Sequence, residues 1–92
     1  TKVAPRTSAP GTWVSGTIAG CRFEALVFPE HAEHVDFELG DSKISKLWIQ
    51  RLADKKTVFH FDRGLDVDAA DETAKAIVGF LCAGLSDHIF LA

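Results

Sequence analysis

Residues 13–28 read WVSGTIAGCRFEALVF, two strand-like runs around Ala19-Gly20, and the register of that pair decides the fold. A two-residue turn sets Ile18 opposite Cys21, Gly16 opposite Phe23 and Val14 opposite Ala25. One face then collects Val14, Ile18, Cys21, Phe23, Ala25 and Val27, an almost wholly apolar set. The favoured two-residue hairpin turns want Asn-Gly or a leading glycine, and Ala19 resists positive φ. The competing three-residue loop, with Gly20 in the left-handed region, sets Val14 against Glu24 and mixes the two faces, so the shorter turn is the expectation.

A second hairpin follows at 43–63, with KISKLWIQR and TVFHFDR on either side of the polar LADKK. With Leu52 to Lys56 as its loop, Arg51 faces Thr57, Ile49 faces Phe59 and Leu47 faces Phe61, a second apolar face. On the reverse, Trp48 meets His60 and Lys46 meets Asp62, an exposed ion pair worth at most about 1 kcal/mol. Residues 71–85, DETAKAIVGFLCAGL, place Ala74, Ile77, Val78, Leu81, Cys82 and Leu85 on a stripe of 3.6-residue period, the mark of a helix. Asp71 or Asp68 is placed to cap its first amides. The end, SDHIFLA, is too short to assign and is expected to tuck its apolar residues against the domain.

These elements predict an α+β fold: a four-stranded antiparallel β-meander of two hairpins, with one C-terminal helix packed on one face. Residues 1–12, TKVAPRTSAPGT, read as a flexible N-terminal tail, leaving 13–92 as a single domain. Four strands span roughly 15 to 19 Å and one helix about 10 to 12 Å, so one helix covers one face at best. The other face is expected to carry Trp13, Leu26, Phe28, Ile44, Trp48 and Val58. Either the 29–42 loop and the 86–92 tail cover that set within the monomer, or it is an interface with a second copy or another protein, the reading favoured here. The outward helix positions Ala76, Gly79 and Ala83 are small and uncharged, which suits either helix propensity or close approach by another backbone.

Composition narrows the function. The chain has 92 residues, 47% of them hydrophobic and 25% charged, with a net charge of −3, the profile of an ordinary globular domain. Its ten basic side chains are scattered, which disfavours binding to a phosphate backbone. Ten of its thirteen carboxylates fall within Glu30–Asp41 and Asp62–Glu72, the makings of an acidic patch. No apolar run approaches the roughly 20 residues that cross a bilayer, and nothing reads as a signal peptide, so a cytoplasmic setting without membrane contact is expected. Cys21 and Cys82, each among apolar residues, are expected as free buried thiols.

Two clusters carry candidate chemistry. In PEHAEHVDFE, 29–38, His31 and His34 have a spacing that brings two imidazoles to one metal ion on a helical turn, with carboxylates nearby. The stretch lacks the HExxH order and a second ligand pair, which favours a solvated loop. His60, Asp62, Arg63 and Asp66 form a polar cluster. It serves acid-base chemistry only within a pocket, and otherwise Arg63 and Asp66 lock the turn around Gly64 through charge-assisted hydrogen bonds. No nucleophile constellation, phosphate loop or cofactor motif is present, so a non-enzymatic role without cofactors is favoured.

The order GxIxGxxFxAxVF, ISKL, DRGxD, here Gly16, Ile18, Gly20, Phe23, Ala25, Val27 and Phe28, then Ile44 to Leu47, then Asp62, Arg63, Gly64 and Asp66, resembles a family of small uncharacterised bacterial domains often found on plasmids and other mobile elements. The family often has Trp at the place of Leu65, and its loop need not contain histidines, which weakens the metal reading. The resemblance implies fold and provenance rather than a reaction. The expected function is a cytoplasmic protein-interaction module, too small for more than one core, homodimeric and accessory to a mobile element. An acidic surface that binds a basic partner is a subsidiary form. The alternative is a small enzyme or a metal- or ligand-binding protein that uses His31, His34, His60 and Asp62.

Overall fold

A computed structural model describes residues 2–5, 11–34, 37–40 and 42–90. Strands β1 (Lys2–Pro5), β2 (Thr12–Ile18), β3 (Cys21–Val27), β4 (Ile44–Arg51), β5 (Thr57–Asp62) and β6 (Leu65–Val67) precede one helix, α1 (Glu72–Phe90). The strands form one antiparallel sheet in chain order, β1-β2-β3-β4-β5-β6. The chain is therefore α+β with a C-terminal helix, but its sheet has six strands where the sequence suggested four. Both additions are short edge strands. β1 comes from the stretch read as a tail, and it tolerates Pro5 because an edge strand has a side on which a missing N–H costs no ladder bond. β6 follows a tight turn in which Arg63 (φ 53°) and Gly64 (φ 155°) both take positive φ.

The first hairpin has the register read from its pattern: Ile18 faces Cys21, Gly16 faces Phe23 and Val14 faces Ala25. Ala19 and Gly20 turn the chain with φ of 49° and 76°, the positive pair that a type I′ turn demands. In the second hairpin Ile49 faces Phe59 and Leu47 faces Phe61, but Gln50, not Arg51, faces Thr57. A bulge at Val58 accounts for the shift, and the Arg51 amide bonds the Lys56 carbonyl at 2.8 Å.

Bulges also change which side chains face the helix. A register shift between Leu26 and Val27 pairs Val27 with Ile44 and leaves Ser45 as the extra residue. Ile44 thereby shares the face of Val27 and is fully buried. Val58, the extra residue of β5, is likewise buried in the core with Phe59. Simple alternation had assigned Ile44 and Val58 to the opposite face; an inserted residue breaks the period of two.

Between sheet and helix lies the core. Ala74, Ile77, Leu81 and Leu85 of α1 are buried with Val14, Phe23, Ala25, Leu47, Ile49 and Phe61. Asp71 is the N-cap: its Oδ1 accepts from the Ala74 amide at 2.8 Å. The helix runs beyond Leu85 to Phe90, and the Ser86 hydroxyl donates to the Phe28 carbonyl at 3.2 Å. Six strands span about 24 Å, twice a helix diameter. Val3 and Leu65, at opposite ends of the row Val3, Val14, Ala25, Leu47, Phe61, Leu65, accordingly stay exposed.

Candidate functional site

The face away from the helix is built from two cross-strand rows. One runs Ala4, Trp13, Leu26, Lys46, Asp62; the other runs Lys2, Ser15, Glu24, Trp48, His60, Val67. Trp13 and Trp48 stand on neighbouring rows on either side of β3. Trp13 is 39% exposed, and Trp48 is half-buried, its indole N–H donating to Thr57 Oγ1 at 3.1 Å. Opposite charges surround them. Arg22 Nη2 meets Glu24 Oε1 at 2.9 Å, Lys46 Nζ lies 3.6 Å from Asp62 Oδ1, and His60 Nδ1 lies 2.8 Å from Asp66 Oδ2.

Of the six residues read as an interface, Trp13 and Trp48 are thus on the open face. Leu26 is on it too but buried, and Phe28 is half-buried just beyond β3. Ile44 and Val58 belong to the core. The polar cluster is brought together in part: Asp66 reaches across to His60 rather than to Arg63, and the turn around Gly64 is closed by backbone bonds, with the Asp62 amide on the Gly64 carbonyl at 3.0 Å.

The connection between β3 and β4 folds over the end of this open face and leaves a cleft of about 330 Å³ beside Leu26 and Phe28. Glu38, 7% exposed, is its structural pin. Its Oε1 accepts from the Ala32 amide at 2.7 Å, and its Oε2 lies 2.8 Å from His31 Nδ1. Burial raises the Glu38 carboxyl, but the bonds from His31 and the Ala32 and Lys43 amides, with the charge of His31, outweigh it and hold the group below its ordinary value. His34 instead sets its ring edge-on to Phe37, centroids 5.2 Å apart. His31 and His34 therefore take different partners. Among the described residues no three His, Cys, Asp or Glu side chains come together as a metal-binding group.

Cys21 is buried and Cys82 half-buried, both as free thiols; burial, eased by a hydrogen bond with Ser42, raises the Cys82 thiol. Among the described residues no helix is long and apolar enough to cross a membrane.

The model of a family described as Domain of unknown function (DUF7678) matches residues 12–86. The chain belongs to this family. The match begins at β2 and ends in α1, so it spans strands β2 to β6, the β3–β4 connection and most of the helix of this chain. No curated protein and no solved structure matches the chain.

Sequence reasoning missed three features. Arg51, at the end of β4, bonds Asp71 at 2.7 Å and Asp54 at 2.9 Å. The Glu38–His31 pair spans seven residues of irregular loop, for which spacing gives no signal. Phe80 is 67% exposed on the outward face of α1; the helix stripe excludes position 80, so its exposure was readable there.

Proposed function

We propose that the domain is a protein-interaction module that pairs with a second copy of itself through the open sheet face. The observation that carries this reading is the pair of tryptophans, Trp13 and Trp48, standing among ion pairs on the face that the helix leaves uncovered. Large aromatic side chains supply most of the contact energy in interfaces. A two-fold interface sets each patch against its own copy, so it needs cations and anions on the same surface. Arg22 with Glu24 and Lys46 with Asp62 meet that need. A nucleic-acid surface would be dominated by cations, and this one is not. An accessory role on a bacterial mobile element, in the cytoplasm, goes with the module reading.

Light scattering over a range of concentrations tests it. The expected result is a dimer that Trp13→Glu with Trp48→Glu converts to a folded monomer. A wild-type monomer at every concentration, or a dimer indifferent to both substitutions, overturns it.

A further inference from the structure

The cleft between the β3–β4 loop and the end of the sheet has a chemistry distinct from the open face. Phe28 and Phe37 form apolar wall, and Lys43 and Arg63 line the same space together with the carboxylates Glu30 and Glu38. No side-chain partner for either cation stands among the described residues, whereas the buried Glu38 carboxylate is already held by His31 and the Ala32 amide. Lys43 (φ 63°) and Arg63 (φ 53°) both hold left-handed backbone conformations, which a Cβ disfavours. Strain of this kind gathers where a side chain must be presented in one place. Two backbone bonds fix the presentation: the Phe28 amide to the Lys43 carbonyl and the Arg63 amide to the Ser45 carbonyl, both at 2.9 Å.

We infer that this cleft binds a small carboxylate with an apolar, aromatic-sized body, its anionic end on Arg63 and Lys43 and its body between Phe28 and Phe37. The planar guanidinium of Arg63 suits a carboxylate through two parallel hydrogen bonds. A volume of about 330 Å³ stands at the small end of the ~300–1,000 Å³ range of ligand pockets, which fits a compact molecule.

Amide shifts in ¹H–¹⁵N spectra, followed during titration, test the inference with four probes: 3-phenylpropionate, 3-phenylpropylamine, 3-phenylpropanol and acetate. The expected result is saturable shifts at Ala32, Phe37, Ser45 and Arg63 with 3-phenylpropionate. The amine and the alcohol lack the charge, and acetate lacks the body, so each binds at least tenfold more weakly. Arg63→Asn weakens 3-phenylpropionate by about tenfold, as loss of a charge-assisted bond does. Asparagine tolerates the left-handed backbone, so that variant keeps the turn. Phe37→Ala, at an exposed wall position, is a second variant expected to weaken it, while Trp48→Ala leaves it unchanged and so separates the cleft from the dimer face. Absence of saturable shifts, equal response to the amine, or unchanged binding by folded Arg63→Asn overturns the inference.

Discussion

Arg51 Nη2 lies 2.7 Å from Asp71 Oδ2, which joins the end of β4 to the residue that caps the helix. The Ala74 amide, then the Arg51 guanidinium, outweigh burial and hold the Asp71 carboxyl below its ordinary value of 3.8. A depressed carboxyl stabilises the fold above its unfolded value, and that contribution is lost as pH falls through the folded one. Asp71→Asn keeps a capping oxygen but loses the charge, and Asp71→Ala loses both. Thermal melts at neutral pH are expected to rank wild type above Asp71→Asn and Asp71→Ala lowest. The gap between wild type and Asp71→Asn should shrink as pH falls below the ordinary carboxyl value and through the lower folded one. An alanine variant as stable as wild type would show that the cap contributes nothing.

Glu38 holds the β3–β4 loop in the same way, from a more buried position. Its folded carboxyl lies below 4.5 because the His31 and backbone hydrogen bonds outweigh the burial that opposes them. The stabilisation is therefore complete above the ordinary glutamate range and disappears as pH falls through the lower folded value. Glu38→Gln is expected to cost about 1.5–3 kcal/mol at neutral pH, the range for hydrogen bonds to a charged group. Urea titrations at neutral and acid pH check this: the difference from wild type should shrink in acid.

The helix separates stability from surface. Leu81 is 3% exposed and Phe80 67% exposed, one residue apart on opposite sides. Leu81→Ala is expected to cost about 2–5 kcal/mol, out of roughly 5–14 kcal/mol for a chain of 92 residues. Leu81→Asp would bury an unpaired charge and unfold the domain. Phe80→Ala should leave the unfolding midpoint in urea within error of wild type. A large loss from Phe80→Ala would mean that the exposed ring supports the fold through a contact that the isolated chain does not show.

The two hairpins were legible because alternation works wherever one face is buried. Val14, Phe23, Leu47 and Phe61 all fall where the period of two puts them. Ile44 and Val58 did not, because each sits at a bulge, and one inserted residue reverses every assignment on its far side. β1 and β6 are short edge strands whose residues, Pro5 and Asp66 among them, read as tail and loop. The site was legible in halves. Trp13 and Trp48 follow from parity, whereas the Glu38–His31 pair and the Arg63 side of the cleft depend on how an irregular loop returns to the sheet, for which no periodicity exists.

Ala19 holds φ 49° ahead of Gly20 at 76°, a left-handed pair whose first position suits asparagine far better than alanine. Ala19 is exposed, so a larger polar side chain meets no obstacle from burial. Ala19→Asn creates the Asn-Gly sequence favoured in this turn and is expected to raise stability by up to about 1 kcal/mol, because its short side chain bonds locally and offsets part of the ~1–2 kcal/mol that a Cβ costs in the left-handed region. Because the hairpin register is unchanged, the urea dependence of unfolding should keep its slope while its midpoint rises. A lower midpoint would mean that the turn is of another type and that Val14 does not face Ala25.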